Sequence, residues 1–291
     1  MTTLSNDVMT VVTKAGGAEL TSIVAYGREY LWQADPAVWA RHAPVLFPIV
    51  GRLAGDRHTH RGQSYTLGQH GFARDREFTL VHGSERAVTY ELVADSQTRT
   101  HYPFDFALTV AYLVDDDGLA VTYGVANTGD EPMPFSIGAH PAFRCPLDPG
   151  EAFEDYELAF DRPVTTTRQW LVDGLRTRTT PFLDDAATLP LSAALFADDA
   201  LVMDNVRART VMLQHKERGH GVALTTAEPW SYYGVWSKPD AAGKHHFVCL
   251  EPWQGVTSKV GEAGELDLKE GIIALPIGAR AIFGYRIAVM G

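Results

Sequence analysis

Apolar residues alternate with threonine, tyrosine and charged residues in short runs along almost the whole chain, and the dominant period is two. Residues 8–13 (VMTVVT) and 20–25 (LTSIVA) predict short strands around a Gly16-Gly17 turn, with Arg28 to Trp32 as a further extended piece. The pattern returns at FTLVHG (78–83), AVTYELV (87–93), FALTVAYLV (106–114) and LAVTYGVA (119–126). Turn formers such as Asp115-Asp116-Asp117-Gly118 and Asn127-Thr128-Gly129-Asp130 separate these runs. Further strands are predicted at VMLQH (211–215), GVALTT (221–226), YYGVWS (232–237), HFVCLE (246–251), GIIAL (271–275) and AIFGYRIAVM (281–290). Helical periodicity is nearly absent, the best short candidate being Leu191 to Phe196 with Ser192 as its cap. A strand run without βαβ alternation or a Pro/Gly/Ser-rich linker predicts one all-β domain over residues 1–291, a large antiparallel β-sandwich.

Composition narrows the function classes. With 45% hydrophobic and 21% charged residues, a chain of 291 residues can bury a large core. A formal net charge of −11 disfavours nucleic acid and anionic membranes as partners. Cys145 and Cys249 are far apart and lack CxxC spacing, which predicts reduced thiols in a core or pocket wall. The opening residues Met1 to Asp7 have no basic segment followed by an apolar stretch, and no later window has the length of a membrane helix. These features predict a cytoplasmic protein.

The departures from alternation carry the candidate chemistry. Pro44 to Arg52 is an apolar run broken by two prolines, better suited to a buried loop or an edge than to a central strand. It ends in an arginine, Arg52. Residues 55–67 predict a hairpin in which His58 and His60 share a face; a solvated hairpin is the preferred reading over a metal clamp, because no third ligand lies near at metal spacing. His70 and Arg74 bracket a glycine-shaped loop, Gln69-His70-Gly71-Phe72-Ala73-Arg74. In Ser136-Ile137-Gly138-Ala139-His140-Pro141, the proline pushes His140 into extended geometry while Gly138 leaves room for a close approach. Glu251 ends the apolar run Phe247-Val248-Cys249-Leu250 and precedes Pro252-Trp253. Partial burial would raise its pKa into a range useful for a base, and Trp253 could stack on a sugar face.

PVLFPIVGRL (44–53), HGFAR (70–74), IGAHPAF (137–143), DDALV (198–202) and CLEPWQG (249–255) occur in that order across most of the chain. Together they resemble the aldose 1-epimerase (galactose mutarotase-like) superfamily, and within it the LacX-like branch. The resemblance implies a large antiparallel β-sandwich and a cofactor-independent, metal-free interconversion of sugar anomers. It also implies roles for individual positions: His140 as general acid, Glu251 as general base, and His70 and Arg52 as ligands of ring oxygen and hydroxyls. Asp199 would grip the substrate, with Asp198 and Asp204 as neighbouring alternatives, and Arg74 and Trp236 would line the pocket wall. The implied partner is a small sugar; the oligomeric state is left open. Two rivals follow from the same fold, a non-catalytic sugar-binding protein and an epimerase for phosphorylated hexoses using Arg52, Arg74 and Arg41. A glycosidase would need a second catalytic carboxylate beside Glu251.

Overall fold

The computed structural model describes residues 1–228, 230–262 and 264–291. Strands dominate, and the one α-helix among the described residues is a single turn, Ser96–Arg99, closed by an Asp95 capping box. Thr2–Ser5, Met9–Thr13, Leu20–Ala25 and Arg28–Glu29 form a four-stranded antiparallel meander, as the opening pattern predicts. It packs Leu4, Val11, Leu20 and Ile23 into the same core as Leu108, Val110, Tyr112 and Val121 of a second, much larger sheet.

That sheet has fifteen strands. Its spatial order begins Val45–Leu46, Ile137–Ala139, Phe247–Gln254, Tyr232–Trp236, Leu201–Asp204 and Tyr156–Val172. It continues through Thr210–His215, Gly221–Thr226, Arg280–Met290, Gly118–Asn127, Phe106–Asp115, Ala87–Val93 and Thr79–Gly83. The named pairings are antiparallel, and the two-residue period sets what is buried: Phe106, Leu108, Val110, Tyr112 and Val114 all point inward. Each such side chain contributes roughly 1.5–3 kcal/mol of transfer free energy. Two of the buried tyrosines pair their hydroxyls with backbone, Tyr112 donating to the Ala18 carbonyl at 2.7 Å and Tyr102 to that of Pro134 at 2.8 Å.

Three features differ from the sequence expectation. Tyr156–Val172 and Leu175–Pro190 form a long hairpin that the alternation did not announce, because its second strand is polar and exposed along most of its length and register shifts interrupt the pairing. The predicted turn at 191–196 is a 3₁₀ segment, Ala193–Phe196, and Ser192 makes no side-chain cap. The hairpin Arg57–His60/Gln63–Thr66 forms, but His58 is buried rather than solvated, stacked on Tyr65 with Nε2 at 2.8 Å from the His101 carbonyl. His60 pairs instead with Glu131 at 3.2 Å. No helix among the described residues is long and apolar enough to cross a membrane.

Candidate active site

The site is built on Phe247–Gln254. On one side this strand pairs with Tyr232–Trp236; on the other it pairs with two three-residue strands in succession, Ile137–Ala139 and Ala142–Arg144. The two short strands keep one register, Gly138 opposite Trp253 and Ala142 opposite Cys249, so residue 140 falls opposite residue 251. Pro141 interrupts the pairing at that point, and its carbonyl accepts the Leu250 N–H at 3.1 Å. Here the local sequence has a direct structural effect: the His-Pro step opens the ladder and turns the His140 ring towards Glu251. His140 Nε2 lies 3.1 Å from Glu251 Oε2, with the two side chains 9% and 1% exposed.

Glycines make the floor. Trp253 spreads across its own strand and both neighbours: a Cβ on Gly138 would stand 2.8 Å from Trp253 Cδ1, and one on Gly234 would stand 2.7 Å from Cζ2. Above this floor a cavity of about 440 Å³ is lined by His70, Arg74, His140, Asp199, Trp236, Glu251 and Trp253, together with Trp39, Gln69, Leu171, Lys238 and Thr257. Trp39 stacks on His140 with ring centroids 5.1 Å apart, and Trp236 meets both rings edge-on.

Burial governs the electrostatics. It pushes the Glu251 carboxyl well above the usual carboxylate range, opposed by the Trp253 indole and reinforced by the charge of Asp199. It pushes the His140 imidazole down to about 3, with the charges of Arg74 and Arg41 acting in the same direction. Both members of the pair are thus driven towards their neutral forms, and among the described residues neither Glu251 Oε2 nor His140 Nδ1 has a hydrogen-bond partner. His70 is also held well below the ordinary imidazole value, first by burial and then by His140, Arg74 and Arg41. Its Nδ1 accepts the Gly51 N–H at 3.1 Å, so the neutral ring carries its proton on Nε2 and is a hydrogen-bond donor there.

The remaining positions singled out in the sequence divide. Asp199 lies at the rim in the left-handed region, φ 77°, its Oδ1 accepting the Ala200 N–H at 2.8 Å. Asp198 is not among the lining residues, and Asp204 is engaged by the Thr167 hydroxyl at 2.7 Å. Arg74 donates to the Gln69 carbonyl at 2.6 Å, and its buried Nε–H lies 3.7 Å from Asp75 Oδ2 without a hydrogen-bond partner among the described residues. Arg52 stands outside the lining: Nε and Nη2 both reach Asp56 at 2.7 Å, and Nη1 reaches the Asp173 carbonyl at 3.2 Å. Trp39, Gln69, Leu171, Lys238 and Thr257 were not singled out. Trp39 belongs to a loop without motif character, and its place in the lining and its stacking on His140 identify it.

Among the described residues, two groups of side chains could converge on a cation. His140, Cys249 and Glu251 place ligand atoms within 4.8 Å of one another, but burial and Glu251 push the Cys249 thiol well above its ordinary value, away from the thiolate a metal needs. Asp148, Glu151 and His220 do likewise, yet Glu151 already accepts the Tyr156 hydroxyl at 2.5 Å and Arg218 at 2.9 Å, and Asp148 pairs with Arg28 at 2.7 Å.

Known proteins match this chain over most of its length. The family model described as Aldose 1-epimerase matches residues 1–266. The chromosomal protein LacX of Lactococcus lactis subsp. lactis is 37% identical over 279 residues, 91% of each chain. A galactose mutarotase related enzyme from Lactobacillus acidophilus superposes with a TM-score of 0.94 at 34% identity, covering 99% of this chain and 97% of the other. A galactose mutarotase-like protein from Lactobacillus casei ATCC 334 superposes with a TM-score of 0.91 at 29% identity over the full length of both.

Proposed function

The chain belongs to the aldose 1-epimerase family of isomerase-type enzymes, and from that premise we propose that it interconverts the α and β anomers of a free hexose or related aldose, with Glu251 and His140 moving the protons. The observation that carries this reading is the buried pair itself: an imidazole and a carboxyl 3.1 Å apart in the wall of a cavity with an aromatic floor.

Ring opening removes a proton from the C1 hydroxyl and delivers one to the ring oxygen; rotation about C1–C2 and reclosure reverse both transfers. In the forward direction Glu251 takes the first proton and His140 supplies the second. Moving the carboxyl proton of the neutral pair to the imidazole converts that pair into an ion pair without changing the net charge of the site. Sugar hydroxyls that stabilise the ion pair put both groups in these roles, and the products restore the starting count of protons. His70, donating from Nε2, would hold the ring oxygen or a neighbouring hydroxyl, Asp199 would accept hydroxyl protons at the rim, and Trp253 and Trp236 would cover the apolar faces of the ring. Arg74 would add a cationic donor. Arg52 would act at one remove.

A second reading has one observation in its favour. Lys238 and Arg74 both line the cavity, and Lys238 forms no ion pair among the described residues, so an anionic group such as the phosphate of a hexose phosphate would find cationic partners. The test is the rate of anomer equilibration for freshly dissolved α-glucose, α-galactose and glucose 6-phosphate, followed by polarimetry against buffer. Acceleration of a free hexose supports the first reading, acceleration confined to the phosphate supports the second, and no acceleration with any sugar overturns both.

A further inference from the structure

Part of the cavity wall is the tip of the long hairpin. Leu171 and Gly174 line the cavity, while Val172 and Asp173 beside them are exposed. The hairpin strand Tyr156–Val172 pairs with Leu201–Asp204 only at Arg168 and Gln169 and with Thr210–His215 only over residues 156–160. Beyond residue 169, among the described residues, the arm's sheet neighbours are its own return strand and a parallel bridge from Arg176 to Lys259, in which the Val260 N–H donates to the Arg176 carbonyl at 3.0 Å. An isolated two-stranded arm is marginally stable in water, so the position of this wall depends on what fastens the tip.

The fastening is a knot of three segments. Thr257, six residues after Glu251, sends its hydroxyl to the Gly174 carbonyl at 2.5 Å and accepts the Arg52 N–H at 2.9 Å. The Ser258 N–H returns to the Arg52 carbonyl at 2.9 Å. Arg176, fully buried, donates its backbone N–H to the Ser258 carbonyl at 2.8 Å and Nε to the Thr257 carbonyl at 2.7 Å. Arg176 Nη1 also pairs with Glu270 at 2.8 Å, and at the turn itself the tie is the Arg52 side chain, bidentate to Asp56 and with Nη1 on the Asp173 carbonyl. Gly51, next to it, has φ 71° and lies so close to Thr257 that a Cβ would come within 2.3 Å of Thr257 Cβ. The N–H of the same glycine fixes the His70 tautomer.

We propose that Arg52 is a positioning residue: with Asp56 aligning its guanidinium, it pins the Asp173–Gly174 turn over the cavity, and it affects sugar binding through that turn rather than by touching the sugar. The kinetic arm of the test rests on the anomer-exchange reading above; the hydrogen-exchange arm does not. Asp56 is the discriminating position, because it holds the guanidinium where it reaches Asp173 and is itself not among the lining residues.

Arg52→Ala and Asp56→Ala are compared with the double variant. Each single change should raise KM by about three- to fivefold, the scale of an exposed bidentate pair, while kcat stays within about twofold. The double variant should be no worse than Arg52→Ala, since the two act as a unit. Amide exchange at Leu171 to Arg176 should speed up in all three, and Arg52→Lys, a point charge without the fork, should fall between. If Arg52 were a sugar ligand, Arg52→Ala would raise KM while Asp56→Ala left both KM and exchange at the wild-type value. That result overturns the proposal. Should no sugar be epimerised, the exchange arm still decides: unchanged protection at the hairpin tip in both single variants overturns it as well.

Discussion

Gly234→Ala tests the site without touching a polar atom. Gly234 lies opposite Glu251, and its new methyl would stand 2.7 Å from Trp253 Cζ2 and 3.1 Å from two further ring atoms. Ordinary contact begins near 3.4 Å, so the indole must move by about 0.7 Å. It has no room to slide along the sheet, since its Cδ1 edge already rests above Gly138, where a Cβ would stand 2.8 Å away. The free direction is upward into the cavity, where the sugar would stack. Overpacking of this kind costs about 1–3 kcal/mol, and a displacement near 1 Å at the reacting centre can cost about 10²-fold in rate. The expected outcome is a fall in Tm of a few degrees with a drop in kcat/KM of about two orders of magnitude, measured by thermal unfolding and by anomer-exchange kinetics. A variant with both wild-type Tm and wild-type kcat/KM would refute the packing argument.

The pH profile should be unusual for a histidine enzyme: His140, driven down to about 3 by burial, gains the pair's second proton only in that range, so kcat/KM holds on the acid side far below the ordinary imidazole value near 6.5 and falls on the alkaline side as Glu251 gives up the last proton. An acid limb centred near 6.5 would contradict this. Trp39→Ala uncovers the His140 ring, and an NMR titration should show that imidazole moving back towards its ordinary value, whereas an unmoved titration would mean that other groups exclude water from the pair. Asp199→Asn keeps a residue type that tolerates the left-handed backbone but removes the charge, so KM should rise about tenfold with Tm unchanged; a wild-type KM would remove Asp199 from the sugar site.

Much of the sheet was legible because turn formers frame runs of alternating residues, as at 87–93 and 106–126, and one buried face enforces the period. The 156–190 hairpin was not, since Pro163 and Pro181 break its runs and its second strand is exposed on both faces along most of its length. His140 and Glu251 were legible as motif residues, His140 just past a strand end as expected but Glu251 within the strand Phe247–Gln254, which runs on through Pro252 and Trp253 rather than ending at the acid. Their facing positions were not, because that depends on two three-residue strands sharing one partner in a single register, and no local pattern encodes it. Arg52 was visible as the end of a proline-shaped loop, but not its commitment to Asp56 four residues on, in a segment whose Gly55 and Asp56 both have positive φ. Trp39 carried no signal at all, since its role depends on a loop packing against the His140 ring.

The central claim is that Glu251 and His140 together move the protons that open and close a sugar ring. Saturation-transfer NMR of anomer exchange, run beside a sugar-binding titration on the wild type, His140→Asn and Glu251→Gln, tests it most directly. The account predicts acceleration by the wild type and a loss of about 10²- to 10⁴-fold in each variant, with sugar affinity nearly retained. Either variant exchanging anomers at the wild-type rate, or a wild type that binds sugar without accelerating exchange, would contradict it.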